Sequence, residues 1–195
     1  MQWTLIPKRI SVSLIVMLLQ LFLFVSADRI YGSYATTAKG ILIAYMLMTA
    51  VVIAITGFRP ETIKGGKDFK WFFIFFLVTS FILVLIPLTF ESEKLKIGAL
   101  WGLGLIQAFV VSYTEETVFR GILPNFLGDI HSNLLFGVFH WAISGSIVFI
   151  FVAFGAGLCF AFIRDRWSIW ASMGVHSAWN LKMLGLLDPL IKGVI

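Results

Sequence analysis

The sequence predicts an all-α fold, a polytopic transmembrane helical bundle of about seven spans with a polar cavity among spans four, five and seven. Three observations carry this. Hydrophobic residues make up 59% of the chain and charged residues 13%, with a mean hydropathy of +0.97, far from the balance of a soluble globular domain. Apolar runs of roughly 20 residues recur between short charged or Gly/Pro-containing breaks, and 195 residues leave almost no room for a soluble domain. Finally, a few ionisable and amide side chains fall inside the apolar runs of the second half, where each is costly unless it has a partner or a function.

Lys8 and Arg9 precede the first run, 10–27, which Asp28 and Arg29 close. Val25 and Ala27 would suit signal peptidase, but the run exceeds the usual 7 to 15 residue core of a signal peptide and more spans follow, so it is expected to be a retained helix. The second span is expected at 40–58. Its exit loop carries Arg59, Lys64, Lys67 and Lys70, with Pro60 and Gly65-Gly66 as breakers. The third, 71–90, opens and closes on aromatics suited to the interfacial belts. The fourth is expected over 97–123, stopped by Pro124; it is nearly 40 Å long if wholly helical and should tilt or protrude. A short fifth follows at 132–144, turned by Gly145, then a sixth at 147–163 and a seventh at 168–187. Arg164, Asp165 and Arg166 fall between the last two, and His131 falls in a loop beside Asp129.

Positive charges set the expected orientation. With the N-terminus inside, Lys8, Arg9, Arg59, Lys64, Lys67, Lys70, Arg120, Arg164 and Arg166 lie on the inner side, nine against the outer six of Arg29, Lys39, Lys94, Lys96, Lys182 and Lys192. The net charge of +5 serves topology: no Lys/Arg cluster with interleaved aromatics marks a nucleic-acid surface. The single cysteine, Cys159, excludes an intrachain disulfide framework and a cysteine metal cluster. Small residues four apart, Gly98 with Gly102 and Ala153 with Gly157 and Ala161, read as close helix packing. Spans one to three have no ionisable residue in their interiors, so the chain divides into N-terminal helices, 1–96, and a working core, 97–195, of one membrane unit.

The stretch SYTEETVFRG, 112–121, sets Glu115, Glu116 and Arg120 within six positions. On a helix, Glu116 and Arg120 stand at i and i+4 and can pair, while Glu115 points about 100° away and stays free for chemistry. The bland reading makes both glutamates surface charges just past a helix end. Against it, Glu115, His140 and His176 each lie about eight residues from the inner end of their spans, a common depth of roughly 12 Å. Asn180 shares the face of His176 one turn on, and Trp141 and Trp179 adjoin these residues. A carboxylate and a histidine can activate water, and an amide or imidazole N–H can hold an oxyanion. The same glutamate and two histidines also form a plausible zinc ligand set, and residue types alone do not separate the two.

EETVFR at 115–120, FGVFH at 136–140 and HSAWN at 176–180 resemble the EExxxR, FxxxH and HxxxN motifs of the CAAX protease and bacteriocin-processing (Abi) family, in the same order and similar separation. The resemblance covers about 97–187. It implies an intramembrane glutamate-dependent endopeptidase, a family that includes the type II CAAX prenyl endopeptidases. Glu115 would be the base, His140 its partner in water activation, and His176 with Asn180 the oxyanion site. Glu116 with Arg120 would be a structural pair, and Phe136 would pack the cavity. The family was named for metal dependence, but its better-supported mechanism is metal-free. The expectation is therefore no cofactor, with zinc on Glu115, His140 and His176 as the second reading. Expected partners are membrane lipids and a peptide or membrane-protein substrate, prenylated ones included, and no nucleic acid. The expected location is the cell membrane of a prokaryote or the endoplasmic reticulum of a eukaryote, with the site near the cytoplasmic face. Absence of HExxH, GxGD and a GxSxG-type serine argues against the zinc, aspartyl and rhomboid-like intramembrane proteases. The alternatives are a non-catalytic scaffold, sensor or immunity protein using the same cavity, and a proton-coupled carrier.

Overall fold

A computed structural model describes residues 12–57, 68–86, 101–184 and 187. Every element among them is helical: α1 (Val12–Tyr31), α2 (Ala35–Thr56), α3 (Lys70–Leu85), α4 (Trp101–Glu116), α5 (Pro124–Ser144), α6 (Val148–Arg166) and α7 (Ile169–Met183). A 3-10 turn, Gly32–Tyr34, joins α1 to α2, and a π-helical segment, Thr117–Ile122, continues α4. Among the described residues two stretches are long and apolar enough to cross a membrane, Val12–Thr56, which folds as α1 and α2, and Val148–Arg166; Lys70–Leu85 is apolar but shorter. The expected basic loop at 59–67, the end of span three and Gly98 lie outside the described residues.

Polarity is inverted relative to a soluble protein. Leu18, Val25, Leu47, Leu77, Phe81, Phe151 and Phe162 are exposed, while Gln20, Thr49, Ser112, Thr114, Glu115 and Glu116 are buried. This suits a chain surrounded by hydrocarbon, where polar side chains must find partners inside. The α1–α2 hairpin shows it. Gln20 Nε2 donates to Thr49 Oγ1 (3.0 Å) and Thr114 Oγ1 (3.1 Å), and the two hydroxyls lie 3.1 Å apart, so one amide ties α1 to both α2 and α4.

A very close helix contact joins α3 to α7. A Cβ on Gly174 would lie 2.4 Å from the carbonyl oxygen of Phe72 and 3.0 Å from the nitrogen of Phe76, so only glycine allows this approach. Phe72, Val110, Tyr113, Ile169, Trp170 and Met173 pack one end of the α3–α4–α7 interface, and Leu83, Ala108, Ala178 and Leu181 the other. Gly174→Ala should destabilise the fold by about 1–3 kcal/mol, because the obstacle is backbone and the helices themselves must part. Thermal unfolding in detergent checks this; an unchanged midpoint contradicts the contact.

Several expectations are corrected. Span five begins at Pro124, earlier than 132, because proline at the first helical position loses no useful N–H. Gly128, at φ 76°, breaks the helix, which then runs on from Asp129. His131 is consequently helical and exposed, with Nδ1 3.0 Å from the Leu127 carbonyl, rather than in a loop. Arg164, Asp165 and Arg166 form the last turn of α6 and not a connecting loop. Ser168 then caps α7, its hydroxyl accepting from the Ala171 N–H. Cys159 is exposed on α6.

Candidate active site

Glu115 and Glu116 end α4, and both are fully buried. Beyond them the helix widens into its π segment, a form commonly found at functional sites. Arg120, also buried, brings Nη1 to 3.1 Å from Glu116 Oε1, the expected i, i+4 ion pair. Its guanidinium lies over the Phe136 ring, 3.8 Å from the centroid, and faces Phe160 at 5.4 Å. Room for it comes from Gly157 on α6: a Cβ there would come within 2.6 Å of both Arg120 Nη2 and Asn133 Oδ1. The Ala153–Gly157–Ala161 spacing therefore serves the charged group as well as helix packing.

His176 projects from α7 between the two carboxylates. Its Nδ1 lies 2.8 Å from Glu116 Oε1 and its Nε2 3.3 Å from Glu115 Oε2. The ring stacks on Phe160 with centroids 4.7 Å apart and meets Phe136 edge-on at 5.9 Å. An imidazole held this way can carry a proton between two carboxylates.

The two glutamates differ in what remains open. Glu116 has a hydrogen-bond partner on each oxygen, His176 Nδ1 at Oε1 and the Ser172 hydroxyl at Oε2, with the Arg120 guanidinium as an ion-pair neighbour of Oε1. Glu115 receives the Tyr45 hydroxyl on Oε1, while Oε2 faces His176 outside hydrogen-bond geometry and accepts nothing among the described residues. A buried carboxylate oxygen with a free lone pair is what a general base requires.

The other expected residues stand nearby. His140, half-buried on α5, places Nδ1 3.0 Å from the Phe136 carbonyl and its ring 4.3 Å from the Phe136 ring, with no hydrogen bond or ion pair to Glu115 among the described residues. Asn180 donates Nδ2 to Ser112 Oγ at 3.1 Å, one turn before Glu116, so its amide sits on the α4–α7 seam. Trp179 packs with the Leu83 cluster, and Trp141 is exposed.

For the zinc reading, both nitrogens of His176 are turned to carboxylates, and His140 has Nδ1 on the Phe136 carbonyl, which leaves its Nε2 uncommitted.

Sequence reasoning missed Tyr45, Ser172, Phe160 and Arg164. Arg164 is buried: it donates Nη1 to the Arg120 carbonyl at 2.6 Å and pairs with Asp129 at 2.9 Å and Asp165 at 2.7 Å, tying the end of α6 to the π segment and to α5. Counting it as a topology charge hid this role. Tyr45 had a signal in Gln20, Tyr45 and Thr49, polar residues in the middle of runs that are mostly apolar.

Residues 97–182 match the family model described as Rce1-like, Type II CAAX prenyl endopeptidase Rce1-like. That match supports a CAAX protease family assignment for this stretch. All three motifs, at 115–120, 136–140 and 176–180, fall inside the match, whereas Tyr45 falls before it. CAAX proteases of this type are membrane proteins with peptidase activity, in keeping with the apolar helices and the buried acidic site. Comparison with curated proteins and with solved structures gives no match.

Proposed function

We propose that this protein is a multi-pass intramembrane endopeptidase that hydrolyses a peptide bond of a membrane-associated or lipidated substrate, prenylated peptides included, near the cytoplasmic face. The observation that carries the reading is the asymmetry of the glutamate pair: Glu116 has a hydrogen-bond partner on each oxygen, and Glu115 keeps one buried oxygen without a hydrogen bond beside an imidazole. In the reaction, Glu115 Oε2 takes a proton from water as the oxygen adds to the scissile carbonyl, with His140 on the facing helix as the second group polarising that water. His176 and Asn180 supply N–H donors to the oxyanion, Asn180 by exchanging its bond to Ser112. The proton held by Glu115 then passes to the leaving amine as the C–N bond breaks. Glu116 and Arg120 hold His176 in place, and Phe136 walls the site. Water activation by Glu115 needs no cofactor.

The test is cleavage of a panel of short peptides, free and prenylated, by purified protein with and without chelator. Cleavage that survives chelation and is lost in Glu115→Gln is the expected result. Glu115→Gln cleaving at the wild-type rate overturns the proposal, and loss on chelation overturns its metal-free form.

A further inference from the structure

Tyr45 belongs to α2, outside the stretch matched to the CAAX proteases, yet its hydroxyl donates to Glu115 Oε1 from a buried position. Its surroundings over-determine that placement. One turn further along, Thr49 donates to the Tyr45 carbonyl at 2.9 Å and is itself held by Gln20 and Thr114. The Tyr45 ring packs edge-on against Phe139, centroids 6.2 Å apart, and Phe139 in turn packs against Phe119 and His140. The phenol is thus fixed from α1, α4 and α5 before it reaches the carboxylate.

A carboxylate at the end of a three-torsion side chain can rotate, and a base oxygen must not. We infer that Tyr45 is a positioning residue for the reaction: by holding Oε1, it orients Glu115 so that Oε2 alone is offered to water. This rests on the peptidase reading above, with Glu115 as base. It makes the N-terminal helices part of the active site, where composition had placed all the working residues after 96.

Tyr45→Phe removes one hydroxyl and keeps the ring. On a peptide that the wild type cleaves, kcat should fall about 10- to 100-fold, as expected for a hydrogen bond to a charged group, while KM changes less than about twofold. An infrared measurement needs no substrate. The carboxyl band that vanishes in Glu115→Gln should shift in frequency in Tyr45→Phe. Conversely, the C–O stretch of an isotope-labelled Tyr45 should shift in Glu115→Gln, which keeps the test open if Tyr45→Phe folds poorly. Unshifted bands, or unchanged kcat in folded Tyr45→Phe alongside an inactive Glu115→Gln, overturn the inference and leave the peptidase reading standing. An active Glu115→Gln overturns the peptidase reading itself.

Discussion

Glu115→Gln lowers peptide turnover by about 10²- to 10⁴-fold, the usual contribution of a positioned general base. The fold should survive the change. The glutamine carbonyl can still accept from Tyr45, and the Arg120 guanidinium keeps its ion pair with Glu116. The matched control is Glu116→Gln. There the new amide must face Arg120 and Ser172 as well as His176, and a charge needed by the guanidinium is gone, so stability falls together with turnover. Turnover and thermal unfolding measured on both variants separate the roles: activity lost at constant stability at 115, both lost at 116. Equal loss of stability in the two variants would make Glu115 a second structural carboxylate and leave the site without a base.

Much of this site was legible because charge inside apolar runs is rare enough to be read singly. The i, i+4 spacing of Glu116 and Arg120 foretold their ion pair, and the common depth of Glu115 and His176 foretold that two distant helices would meet there. Depth says nothing about azimuth, however. His140 shares that depth with its Nδ1 on the Phe136 carbonyl of its own helix, and Asn180 donates to Ser112; neither orientation follows from residue counts. Uncharged polar residues were harder to weigh. Tyr45 and Thr49 look like tolerated exceptions in a span that is mostly Leu, Ile, Val, Met and Ala, and only their arrangement around Gln20 and Glu115 gives them a purpose. Helix ends were legible only in part. The fourth span does stop before Pro124, but the same proline, unable to continue one helix, is well suited to open the next, and the π segment before it has no signature in the side chains.

Arg120→Leu should cost about 3–5 kcal/mol of stability, because it strands Glu116 as a buried carboxylate with no neighbouring guanidinium. The pair itself need not be stabilising relative to an apolar replacement. Desolvating two charges is expensive, and the Coulombic gain with the Phe136 face contact offsets that cost without a large surplus. Adding Glu116→Leu to Arg120→Leu should therefore recover most of the lost stability: it removes the stranded charge and places two branched apolar side chains beside Phe136 and Phe160. Activity should not return with it. His176 Nδ1 would have lost the acceptor that aims its ring, leaving Nε2 free to swing away from Glu115. Thermal unfolding of the single and double variants in detergent gives the coupling between the two positions, and peptide turnover is read on the same samples. If the double variant is no more stable than Arg120→Leu alone, the guanidinium supports the fold by a route other than Glu116. If turnover recovers along with stability, Glu116 and Arg120 do nothing for the imidazole beyond keeping the helices together.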